Sequence, residues 1–126
     1  MMGKMQRTKG AAAERELLKL LSDGLGLNLT RNLTQTREGG ADCDDLEGYA
    51  LEIKRHETLQ LATWWRQAVE QAGNKVPVLA YRQSRHPWLF VVPMCCLNKD
   101  FPAGNEFEFT ATLSIQGFIL LVRMNK

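Results

Sequence analysis

A chain of 126 residues that is 44% hydrophobic and 24% charged has the size and balance of one globular domain. At that length folding hides roughly two-thirds of the unfolded surface, so no disulfide or metal staple is needed. No apolar run approaches a membrane span (Phe118 to Val122 is five residues) and the basic start MMGKMQRTKG lacks the apolar stretch of a secretory signal.

In chain order, a first helix is expected from about Thr8 to Asp23. Ala11 to Ala13 have high helix propensity, Leu17, Leu20 and Leu21 recur at helical spacing, and Gly24 and Gly26 stop it. Leu27 to Thr36, rich in Thr and Leu with polar alternation, reads as a strand, and Glu38-Gly39-Gly40 as a turn. Asp42 to Leu46 and Tyr49 to Arg55 then form a hairpin around Glu47-Gly48. A second helix is expected from about Leu59 to Ala72, with Leu61, Trp65, Ala68, Val69 and Ala72 on its buried face. Val76 to Tyr81 and Trp88 to Val92 are short apolar runs suited to central strands. Phe107, Phe109, Ala111 and Leu113 alternate as one more strand. In the tail, Ser114 is able to cap a short helix through Ile119, Leu120 and Met124, or Gly117 to begin a final strand; the helix is preferred here. The core order αβββαββ describes a single α/β domain, a mixed central sheet flanked by helices.

Net charge is only +2, but its distribution is uneven. The first thirteen residues hold Lys4, Arg7 and Lys9 with no acid, whereas Asp42 to Glu57 holds six acids against Lys54 and Arg55. A basic chain with one acidic knot suits a metal-dependent enzyme acting on a polyanion. Three cysteines, with Cys95 and Cys96 adjacent, lack zinc-finger spacing and suggest no disulfide framework, so a reducing cytoplasm is expected.

The chemistry centres on Leu51-Glu52-Ile53-Lys54. Strand alternation puts Glu52 and Lys54 on one face and Leu51 and Ile53 on the other. Pairing within the hairpin would bring Asp42 close to Glu52. Two converging carboxylates need a proton or cation between them, and hard oxygen ligands suit Mg²⁺ or Mn²⁺, with the Ile53 carbonyl as a further ligand. Such an ion would activate water for attack on phosphorus, with Lys54 stabilising the developing charge. A Glu-x-Lys triplet alone arises by chance about once in two or three chains of this length. Asp42 behind a Gly-Gly turn, at hairpin distance and after an amphipathic helix, is far more restrictive.

The run Lys9-Gly10, Glu14-Arg15, Arg31, Gly39-Gly40-Ala41-Asp42 and Leu51-Glu52-Ile53-Lys54 resembles the PD-(D/E)XK nuclease superfamily. Within it, the chain looks most like archaeal-type Holliday junction resolvases and related small phage nucleases, over about residues 7 to 92. The resemblance implies a restriction-endonuclease-like core and metal binding by Asp42, Glu52 and Glu14. It also implies a catalytic Lys54, a homodimer, and DNA, branched or duplex, as substrate. Two points separate the chain from the resolvases. Their turn serine is absent from Arg37-Glu38-Gly39-Gly40, and the glutamine that many members carry after the lysine finds its match in Gln67, which a helical wheel places opposite the buried stripe with Gln60, Trp64 and Gln71.

Lys9, Arg15, Arg31, Arg37, Arg82 and Arg85 are candidate phosphate contacts. Trp64, off the core face, is expected to be exposed toward DNA or a second subunit, and Trp65 to pack. The expected function is Mg²⁺- or Mn²⁺-dependent endonucleolytic cleavage of branched DNA. The alternatives are a nuclease on linear duplex or single strands in phage replication or packaging, and a catalytically inactive DNA-binding subunit of the same fold.

Overall fold

The computed structural model describes the backbone of residues 2–32 and 40–125 and the side chains of residues 10–32 and 40–125. Helix α1 spans Met2–Leu25 and ends where Gly26 turns to a φ of +68°, a conformation that favours glycine. Its buried residues Ala13, Leu17, Leu18 and Leu21 form one stripe. Strand β1, Tyr49–Arg55, leads into helix α2, Leu61–Ala72, and then strand β2, Val76–Arg82. Strands β3, Leu89–Pro93, and β4, Thr110–Ser114, follow. Helix α3, Ile115–Met124, closes the domain, and the Ser114 hydroxyl accepts from the Gly117 N–H at its start. The preferred reading of the tail holds.

Among the described residues the strands form one mixed sheet in the order β1-β2-β3-β4. β1 and β2 are parallel, joined by the α2 crossover, while β2–β3 and β3–β4 are antiparallel. Alternation sorts the core into two layers. Tyr49, Leu51 and Ile53, Val78 and Ala80, and Phe90 and Val92 meet α1 and α3 on one face. There Phe118 stacks on Phe90 at 4.7 Å between ring centroids and takes Tyr49 edge-on at 5.9 Å. On the other face Leu79, Tyr81 and Val91 meet Trp64, Trp65 and Ala68 of α2.

The fold class is as expected, but the element order differs at three places. Residues 27–32 form no strand, and 33–36 lie outside the described residues. Local side chains take the backbone donors there: the Leu29 N–H donates to the Ser22 hydroxyl, and the Thr30 N–H to the Asp45 carboxylate. Asp42 to Leu46 joins the sheet only through an isolated bridge between Cys43 and Leu51. Phe107–Phe109 is a 3₁₀ turn leading into β4. The described order is therefore αβαβββα, not αβββαββ.

Candidate active site at the edge of the first strand

β1 is an edge strand, and the chain before it covers that edge with a side chain. Cys43 and Leu51 exchange both backbone hydrogen bonds, at 3.1 and 2.9 Å. Two residues further along, the Ile53 N–H donates to Asp42 Oδ2 at 2.7 Å. The Asp42 carboxylate thus takes the place of a neighbouring strand. Because N–H and C=O of one strand residue point to the same side, the Ile53 carbonyl faces this outer edge too.

The short segment carrying Asp42 is held from two directions. From the loop after α1, the Asn32 N–H donates to the Asp42 carbonyl at 2.8 Å, and Asn32 Nδ2 donates to the Ala41 carbonyl at 3.0 Å. From α2, Gln71 Oε1 accepts from the Gly40 N–H at 2.6 Å. Ala41 is buried against Ala50 of β1 and Ala72 of α2, and these small side chains let the segment lie close to both elements. Gly40 has a φ of +98°, and a Cβ there would meet Asn32 Nδ2 at 3.3 Å, so glycine suits the turn.

Glu52 and Lys54 lie on the α2 face of β1, as alternation requires. Glu52 is 6% exposed, the buried charged residue of the described core, and its Oε1 has no hydrogen-bond partner. Burial first, and then the neighbouring Asp42 carboxylate, push its carboxyl up to about 8, while Lys54 pulls the other way. Glu14, on α1, feels the charges of Asp42 and Lys54. Its Oε2 accepts from Arg31 Nε at 2.7 Å. Burial and Asp42 raise its pKa, against the lowering pull of Arg31 and Lys54. α1, the Asp42 segment and β1 thus bring three carboxylates and a lysine into one electrostatic field.

Among the described residues, no group of three or more His, Cys, Asp or Glu side chains is arranged to hold a metal ion. The donor set nevertheless fits a hard divalent cation. Mg²⁺ commonly takes one or two carboxylates and fills its other positions with water and substrate phosphate. Asp42, Glu52 and the edge-facing Ile53 carbonyl could supply oxygen ligands, and the unpartnered, buried Glu52 Oε1 is an acceptor lacking its donor or cation.

Of the other expected site residues, Gln67 is placed differently from the helical-wheel reading. α2 buries Trp64, 5% exposed, as well as Trp65, so the face with Gln67 looks inward. Trp64 is therefore not an exposed contact; its ring lies 5.2 Å from that of His56. Gln67 Oε1 is buried without a partner. The Ala50–Ala72 contact at one end of the crossover and the His56–Trp64 contact at the other put Gln67 at the level of Glu52 and Lys54.

The candidate phosphate contacts divide. Arg15 and Arg85 are exposed. Arg31 is tied to Glu14, and Arg82 Nη1 donates to both carboxylate oxygens of Glu16 at 2.9 Å. Arg37 and the Lys9 side chain lie outside the described residues. Sequence reasoning missed Asn32 and Gln71, two of the described residues that hold the Asp42 segment. Neither forms a motif with Asp42, and only the folded chain brings them to it.

Comparison with known proteins bears on the fold and the family. Residues 5–116 match a family model described as "Phage putative PDDEXK endonuclease". No curated protein matches the chain in sequence. Among solved structures, a Holliday junction resolvase from the archaeal hyperthermophile Archaeoglobus fulgidus has a similar fold. Its TM-score is 0.50 at 22% identity, over 89% of this chain and 88% of that one. With most of its length matched by that family model, the chain belongs to the phage PDDEXK endonuclease family, within the PD-(D/E)XK nuclease superfamily.

Proposed function

We propose that the chain is a metal-dependent DNA endonuclease that hydrolyses phosphodiester bonds, selective for branched DNA such as a Holliday junction. The observation that carries this reading is the buried Glu52 carboxylate, its Oε1 unpartnered, in the field of Asp42 beside Lys54. A binding module has no use for so costly an arrangement. Asp42, Glu52 and the Ile53 carbonyl would hold Mg²⁺ or Mn²⁺, with Glu14 contributing from α1. When bound, the ion supplies an activated water and offsets the phosphate charge. Lys54 orients the nucleophile and stabilises charge building on the phosphate oxygens. Gln67 supports the site from α2, and Arg15 and Arg85, with Lys9 and Arg37, contact the phosphate backbone. Arg31 and Arg82, ion-paired within the chain, contribute through any guanidinium edge left to the DNA.

The junction preference is carried from the Archaeoglobus resolvase, and resolving a junction requires two nicks, hence a homodimer. A reducing cytoplasm suits the three free cysteines, and no helix among the described residues is long and apolar enough to cross a membrane. The alternative substrate is linear duplex or single-stranded DNA in phage replication or packaging; the family description names a phage endonuclease and no substrate. A catalytically inactive DNA-binding subunit is favoured by one observation, the absence of a three-ligand cluster among the described residues.

The test is cleavage of a four-way junction, a linear duplex and a single strand in Mg²⁺ or Mn²⁺, beside Asp42→Asn and Lys54→Ala. Junction cutting lost in both variants is the expected result. Cutting that survives both sinks the site. Equal cutting of linear duplex sinks the junction preference, and binding without cutting supports the inactive subunit.

A further inference from the structure

We infer that Gln71 is a positioning residue, by which the last turn of α2 sets where the Asp42 carboxylate stands. The inference rests on the metal-site reading above. Gln71 lies one helical turn beyond Gln67, and its side-chain Oε1 accepts the Gly40 N–H at 2.6 Å. Gly40 is only two residues before Asp42, and between them Ala41 is buried in one small apolar cluster with Ala50 and Ala72, the residue after Gln71. One polar and one apolar contact thus dock the segment onto the same helical turn. Asp42 then has its carbonyl fixed by Asn32 and its carboxylate by the Ile53 N–H. A swing of the segment away from α2 would move Asp42, and among the described residues the Gln71 bond is a polar restraint against that swing. An outer contact of this kind typically changes metal affinity about 10- to 100-fold. Gln71 itself is exposed, and little core packing depends on it.

The experiment compares Gln71→Met, which keeps the bulk but removes the acceptor, with Gln71→Glu, which keeps an acceptor. Amide exchange of the Ile53 N–H in metal-free protein reports whether Asp42 still occupies the strand edge. Mn²⁺ titration reports the site, and a thermal melt reports the fold. The expected result is faster Ile53 exchange and about tenfold weaker Mn²⁺ binding in Gln71→Met, with melting unchanged. Gln71→Glu should restore both to near wild type. Unchanged Ile53 exchange in Gln71→Met overturns the positioning role, whatever the metal does. Faster exchange, together with Mn²⁺ binding that Asp42→Asn leaves intact, upholds the positioning role and overturns the metal-site reading instead.

Discussion

Replacing Glu52 by Gln isolates the cost of the buried carboxylate. In the metal-free protein its carboxyl is raised from 4.5 to about 8. Between those values the folded chain keeps a proton that the unfolded chain has released. Stability from this group is therefore fully present below about pH 4.5 and is lost as pH rises through about 8. Each pKa unit corresponds to about 1.4 kcal/mol, which bounds the loss at about 5 kcal/mol; water entry and local relaxation would bring the observed figure nearer about 2–3 kcal/mol. The substituted glutamine side chain has nearly the same shape and does not titrate. The assay is urea unfolding of wild type and Glu52→Gln in chelator from pH 5 to pH 9. All other titrating groups are shared, so the difference between the two curves reports Glu52 together with its coupling to Asp42 and Lys54. The variant should gain on wild type as pH rises, and Mg²⁺ at pH 8 should restore wild type but not the variant. Parallel curves across the whole range would refute the account of Glu52 as a strained, cation-seeking carboxylate.

Phe118→Ala removes the ring shared by Phe90 and Tyr49 between α3 and the sheet, and should cost about 3–5 kcal/mol in urea unfolding. Arg85→Ala should lower the slope of log binding constant against log salt by about 0.9 on duplex DNA, the value for one lost phosphate contact. Arg82→Ala, whose guanidinium is already engaged by Glu16, should leave that slope unchanged.

Patterns that depend on one element's own periodicity were legible in the sequence. α2 and the four strands appear close to where spacing and alternation put them, α1 starts at Met2 rather than at about Thr8, and Asp42, Glu14, Glu52 and Lys54 share one electrostatic field. What could not be read depends on partners distant in the chain. Leu27 to Asn32 has a strand-like pattern, yet Ser22, Asp45 and Asp42 take its backbone donors. A short stretch so satisfied has no need of a sheet neighbour. On α2, adjacent tryptophans widen the buried surface beyond a single stripe. That is why Trp64 is covered and why the Gln67 face turns inward. Gln71 offers no signal at all in one dimension, because its partner, Gly40, lies 31 residues away.

The hydrogen bond from Ile53 to Asp42 bears on solubility as well as on chemistry. A bare edge strand invites pairing with another chain, since its outward N–H and C=O groups form a ready template. Here a carboxylate occupies the outward Ile53 N–H and puts negative charge where an incoming strand would have to lie. The acid assigned to the metal also guards the margin of the sheet against aggregation. An asparagine side chain at this position can still accept that N–H and preserve the guard. An alanine cannot, so Asp42→Ala would confound lost activity with self-association.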